Sequence, residues 1–286
     1  MIKELSPSIV RKIWGGTKLE KMKGLSLLNK DLDPIGETLE IFEHHLPYVA
    51  KFIDTSEELS IQVHPNDEYA RLHENSSGKT ECWIILDSGE EAGIFLGLKS
   101  HVSRKNLVEA LREKKAINEL LNFYPVKKGD FFFVPSGSIH AIGKNITLAE
   151  IQQNSGITYR VWDWDRLDSK GMSRELHIEK SLDVINFDSK SNSSEFFRIK
   201  NNLFDLAGLH EVCIHPDFQL YILNLKKNEV YQKDLSTLTR QCSILNLDGV
   251  IDVNQVEVKS FGAVTLEKEF QLSITAKENG SLLIIF

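Results

Sequence analysis

The chain has 286 residues, 41% of them hydrophobic and 26% charged, with a net charge of −7. That length suits one or two packed domains, and an acidic balance without a basic stripe argues against nucleic acid or an anionic membrane as the main partner. Three widely spaced cysteines, Cys82, Cys213 and Cys242, suggest neither a disulfide framework nor a four-cysteine zinc site. No stretch approaches the roughly 20 apolar residues of a membrane span and no apolar run marks a signal peptide, so a cytoplasmic protein is expected.

In chain order, residues 1–40 are rich in turn signals (Ser6-Pro7, Gly15-Gly16, Lys23-Gly24, Asp33-Pro34) and read as an irregular wrapped leader. Leu59-Ser60-Ile61-Gln62-Val63 alternates with period two, which puts Gln62 and His64 on one face, where a carboxamide oxygen and an imidazole nitrogen could meet a metal together. Lys79 and Glu81 share a face at the start of the strand Lys79 to Leu86. A solvated ion pair is the commoner reading of such neighbours. Ser103 reads as the N-cap of a helix running to about Asn122.

The stretch Lys127 to His140, KKGDFFFVPSGSIH, reads as turn, strand, turn and then a histidine. Gly129-Asp130 suits a tight turn, Phe131 to Val134 a half-buried strand, and Pro135 with Gly137 a break that presents His140 at the start of the next strand. A lone histidine there is either structural or a ligand. Beyond it, Leu148, Glu150 and Gln152 share one strand face and Ala149 and Ile151 the other. Arg160 and Arg166 fall on one face of an unbroken strand, either as an anion grip or as members of surface ion pairs. Residues 188–194 suit a linker, and from Phe196 onward short strands alternate with turns, Asp248-Gly249 among them as a hairpin signal. An all-β jelly roll or barrel is predicted for that half. Gln62, His64, Glu81 and His140 together offer two nitrogens and two oxygens, a mixture that zinc accepts.

Gln62-x-His64-Pro65, Gly78-Lys79-Thr80-Glu81-x-Trp83, Pro135-Ser136-Gly137-x-x-His140 and Glu150-x-Gln152-Gln153-Asn154-Ser155 followed by Tyr159-Arg160 closely resemble the type I mannose-6-phosphate isomerases of the cupin superfamily, in their short bacterial form. Trp14-Gly15-Gly16, Ile35-Gly36-Glu37 and Arg174-Glu175-Leu176-His177 also look like family blocks. The resemblance implies an all-β, bicupin-like chain: a catalytic metal-binding cupin domain over 1–185 with an N-terminal wrap and a helical insertion, then a smaller β-barrel without a metal site over 195–286. It implies one zinc ion per chain on Gln62, His64, Glu81 and His140, active-site roles for Lys79, Glu150 and Arg160, and a substrate-phosphate contact at Arg166. The expected activity interconverts D-mannose 6-phosphate and D-fructose 6-phosphate through an enediol(ate). The partner is then a small sugar phosphate rather than nucleic acid or membrane, on a monomer or weak homodimer. Other readings are a non-catalytic sugar-phosphate-binding cupin and another cupin metalloenzyme, an epimerase or oxygenase. Gln62 as an additional ligand favours zinc over non-haem iron. The chain departs from the family at Gly156, where the resemblance calls for aspartate, and at Leu39, which replaces a frequent tryptophan.

Overall fold

The computed structural model describes residues 2–24, 32–167, 171–237, 241–267 and 271–286. Its strands form four antiparallel sheets stacked as layers. The first layer is five-stranded, in the order Tyr159–Trp162, Ile61–Val63, His140–Ile142, Gly93–Leu98 and Leu121–Pro125. Behind it lies a six-stranded sheet ordered Ser8–Gly16, Ile35–Ile41, Tyr48–Asp54, Ile146–Gln153, Glu81–Ser88 and Phe131–Val134. A second six-stranded sheet carries Ile2–Leu5, Ala263–Leu266, Cys242–Asp248, Gly280–Ile285, Gln219–Leu225 and Gly208–Ile214, and a four-stranded sheet closes the stack.

Three apolar cores separate the layers. Ile53, Trp83, Ile85 and Leu148 meet Ile94, Leu96 and Ile142 in the first. Ala50, Phe52, Cys82, Ile84, Ala149 and Ile151 meet Val212, Phe218, Leu220, Leu245 and Leu283 in the middle. Leu223, Ile244, Val264 and Ile284 meet Ile251, Leu272 and Ile274 in the last. The inner six-stranded sheet is thus covered on both faces. Tyr48–Asp54 and Ile146–Gln153 are buried at every position. A strand so covered is expected to be apolar throughout, and each polar residue in it needs a partner or a task. Lys51, Glu150 and Gln152 are among those exceptions, and Glu81 is another on the adjacent strand.

The first forty residues are more regular than the turn signals predict. Ser8–Gly16 and Ile35–Ile41 pair with each other, and Ile2–Leu5 pairs with Ala263–Leu266 in the C-terminal sheet. Polar and apolar residues alternate too irregularly there for a period-two pattern to stand out, because register shifts interrupt the Ser8–Gly16 ladder. The helix capped by Ser103 is real but short, Arg104–Arg112. Lys114 then takes a left-handed conformation, a 3₁₀ turn covers Ile117–Leu120, and Leu121–Pro125 is a strand. Asp248-Gly249 is a turn, with Gly249 at φ +75°, yet it carries the chain from one layer to the next; the hairpin turn is Asn254-Gln255, both at positive φ.

Residues 188–194 include a 3₁₀ turn over Lys190–Asn192 and are anchored to the fold through one buried side chain. Asn192 is buried, accepts from the Leu98 backbone N–H at 2.8 Å and donates to the carbonyls of Asn186 at 2.9 Å and Asp188 at 2.7 Å. Asn192→Ala leaves the buried Leu98 N–H without its acceptor, and should destabilise the protein by roughly 1–3 kcal/mol, read from the urea midpoint at unchanged slope.

Candidate active site

Register assembles the site. In the inner sheet Lys51, Glu150 and Trp83 stand directly opposite one another on adjacent strands, and Gln152 stands opposite Glu81. In the outer sheet Arg160, Gln62 and His140 form a facing row. Side chains at alternate positions point the same way, so both rows project into the space between the layers. That space opens into a cavity of about 630 Å³, lined by Gln62, Lys79, Glu150, Arg160 and Arg174 among others.

The turn at Pro135 to Gly137 aims His140. Gly137 adopts φ +83° and its N–H donates to the His64 carbonyl at 2.8 Å, linking the two histidine-bearing segments. The His140 Nδ1–H donates to the Ser138 carbonyl and the His64 Nδ1–H to the Ile157 carbonyl, each at 2.9 Å. Each imidazole therefore has its Nε2 lone pair facing Glu81: His64 Nε2 is 3.4 Å from one carboxylate oxygen and His140 Nε2 is 3.3 Å from the other. The Gln62 amide lies 3.3 Å from His140 Nε2, and a half-turn of the amide exchanges its nitrogen for its oxygen there. Lys79 Nζ is 3.2 Å from Glu81.

Electrostatics set the protonation states a metal requires. Burial pushes the His64 imidazolium down to about 3, helped by Lys79, and burial likewise lowers His140. Burial opposes ionisation of Glu81, but the Lys79 ammonium beside it holds its carboxyl well below the usual range. At neutral pH the trio is two neutral imidazoles and one carboxylate. His64 Nε2 is buried and makes no hydrogen bond among the described residues; it faces the Glu81 oxygen that pairs with Lys79, and an unpaired buried lone pair costs free energy unless a cation meets it. Among the described residues His64, Glu81 and His140 form a group whose ligand atoms all lie within 4.8 Å of one another. These donors, with the second ring nitrogens fixed by carbonyls, fit a divalent cation.

Beside that centre, Glu150 is buried, accepts from Trp83 Nε1 at 3.1 Å and pairs with Lys51 at 2.9 Å. Burial raises the Glu150 carboxyl above its ordinary range and the charge of Glu81 adds to this, with Lys51 and Lys79 opposing. Lys51 also pairs with Glu37 at 3.2 Å, and Glu37 with Lys12 at 3.5 Å. Burial works against its charge, but the two carboxylates raise its pKa above the ordinary lysine value. Lys51 was not singled out from the sequence, and Glu37 only as part of a family block. The available signal was a lysine inside the apolar run Val49 to Ile53.

Arg160 lines the cavity; its Nη1 donates to the Glu175 carbonyl at 2.8 Å, and its Nε is buried with no partner among the described residues. Arg166 stands elsewhere. The strand carrying Arg160 ends at Trp162, and Trp164 and Asp165, both at positive φ, turn the chain away from the shared face expected for an unbroken strand. Arg166 is not among the cavity-lining residues. Gly156 lines the cavity, and a Cβ built there meets nothing within 4 Å, so an aspartate would fit.

A family profile described as the quercetinase C-terminal cupin domain matches residues 208–285, the two C-terminal layers. The chain is similar to mannose-6-phosphate isomerase ManA of Bacillus subtilis, 40% identical over 210 residues covering 63% of this chain and 66% of that relative. It is also similar to the mannose-6-phosphate isomerase of Streptococcus mutans, 37% identical over 253 residues covering 76% and 77% of the two chains. The crystal structure of the mannose 6-phosphate isomerase from Bacillus subtilis superposes with a TM-score of 0.80 at 25% identity, over 99% of this chain and 98% of that one. The expected strand-dominated cupin architecture agrees with these matches, and with this identity spread over most of both chains, the protein belongs to the mannose-6-phosphate isomerase family of cupin enzymes.

Proposed function

We propose that the protein interconverts D-mannose 6-phosphate and D-fructose 6-phosphate, holding one zinc ion on Gln62, His64, Glu81 and His140. The observation that carries this reading is the buried His64, Glu81 and His140 trio with its lone pairs facing one another beside a cavity that ends in arginines. Family membership supports the substrate, and the mixed nitrogen and oxygen donor set supports zinc.

The reaction moves a proton between adjacent carbons through an enediolate, so it needs a base and a way to offset developing negative charge. Zinc, when bound, would supply Lewis-acid polarisation of the substrate oxygens. Glu150 is the base: burial raises its pKa from the ordinary carboxylate value toward the working range, and Lys51 and Trp83 hold the carboxylate in place. Arg160 and Lys79, both on the cavity wall, place positive charge where the enediolate oxygens develop theirs. Leu39, Phe42 and Ile53 add apolar surface to the cavity wall beside these polar groups.

The test is a coupled assay of mannose 6-phosphate conversion on protein purified with metal, after chelation and after zinc is returned. Turnover is expected in the first and third samples and absent in the second. A metal-replete protein without turnover would leave a sugar-phosphate-binding cupin instead.

A further inference from the structure

We propose that Arg174, rather than Arg166, takes the anionic end of the substrate, with Asp163 as the carboxylate that positions it. The proposal rests on the sugar-phosphate reading above and assigns the end of the cavity away from the metal ligands. The guanidinium groups of Arg166 and Arg174 both bind Asp163, which is 5% exposed, and Arg160 lies within electrostatic reach of all three. They differ in what they have left to offer. Arg166 is committed at every nitrogen: Nη2 donates to the Asp163 carboxylate at 2.7 Å, Nε to the Asp163 carbonyl at 3.3 Å, and Nη1 to Glu57 at 3.3 Å. It lies outside the cavity lining. Arg174 uses its Nε, at 2.7 Å, and its Nη2 on the Asp163 carboxylate. Its Nη1 has no partner among the described residues, and its side chain lines the cavity beside Arg160.

Charge points the same way. Asp163 and Glu57 offset two of the three cations, leaving about one positive charge at this wall besides the exposed Glu175. A phosphate monoester carries roughly −1.5 to −2 at neutral pH, and a guanidinium fixed on one edge by a carboxylate presents its remaining N–H groups in a preset direction. Arg160 feels these charges: burial lowers its pKa and the Arg174 and Arg166 charges lower it further, with Asp163 and Glu175 opposing, and a bound dianion would offset the remaining repulsion. The division of labour is then spatial. Gln62 and Lys79 mark the metal end, Arg174 the anion end, and Arg160 lies between.

Arg174→Gln should raise KM for mannose 6-phosphate, and the dissociation constant of inorganic phosphate measured by titration calorimetry, by about ten- to a hundredfold, with the change larger in KM than in kcat. Arg166→Gln removes the other guanidinium on Asp163 and so reports what loosening that carboxylate does by itself; it should move neither constant by as much as about threefold. Arg174→Lys keeps the charge without the fork and should fall between wild type and Arg174→Gln. Equal shifts in Arg166→Gln and Arg174→Gln, a shift in Arg166→Gln alone, or no shift in either would each overturn the assignment. A wild-type protein that binds phosphate through Arg174 yet does not isomerise mannose 6-phosphate would instead remove the isomerase reading and leave the anion assignment standing.

Discussion

Glu81→Gln is expected to lose bound metal and, with it, turnover. The substitution keeps the size of the side chain and an oxygen that can accept from Lys79, but removes the one negative charge among the proposed ligands. Glu81→Ala is the less informative variant, since it would strand the Lys79 ammonium, itself buried, without a counter-charge at a cost of roughly 3–5 kcal/mol. Removal of a group that only orients a ligand costs 10- to 100-fold in affinity, so loss of a charged ligand should cost at least about a hundredfold. Elemental analysis of wild type should give about one metal per chain, and Glu81→Gln well under a tenth of that after the same dialysis. Added zinc at about a thousand times its Kd should stabilise the wild type by about 4 kcal/mol against unfolding and leave the variant's midpoint where it was. Stoichiometric metal in Glu81→Gln would mean that the carboxylate buffers Lys79 rather than binding a cation.

The candidate metal site was legible because its residues sit in short patterns whose physics is local. Gln62 and His64 are two apart on a strand, and His140 follows a Pro and Gly turn; both fix direction without knowledge of the rest of the fold. Lys51 was hidden for the opposite reason. Its meaning comes from standing opposite Glu150 in a register set by strands about a hundred residues apart in sequence, and from a second layer that buries the back of its strand. Arg166 shows the limit of period-two reasoning. The pattern assigns a face only while the strand continues, and two left-handed residues at Trp164 and Asp165, neither of them glycine, end it without a sequence signal. The apparent linker at 188–194 failed similarly. Polar, small residues suggested solvent, whereas Asn192 is buried and its amide holds the buried Leu98 N–H and the carbonyls of Asn186 and Asp188.

Glu150→Gln should lower kcat by about a hundred- to ten-thousandfold while leaving the metal in place and the fold intact. The fold survives because Lys51 keeps Glu37 as a partner at 3.2 Å, and Trp83 Nε1 can donate to the carboxamide oxygen as it does to the carboxylate at 3.1 Å. The pH profile supplies a second readout. A base acts only when ionised, and the folded pKa of Glu150 lies above its ordinary value because burial and the charge of Glu81 outweigh Lys51 and Lys79. Wild-type kcat/KM should therefore fall as pH drops through that raised pKa, at a higher pH than an exposed glutamate would give, and the residual activity of Glu150→Gln should lack that limb. The sign also bears on stability. A carboxyl whose folded pKa is raised disfavours folding once pH exceeds its unfolded value, so replacing it with an uncharged amide removes that penalty at neutral pH and offsets part of the loss of its ion pair with Lys51. If instead Glu150→Gln turns over normally and keeps the acid limb while Lys79→Met does not turn over, the proton is carried by Lys79, and Glu150 serves only to hold Lys51 against the cavity wall.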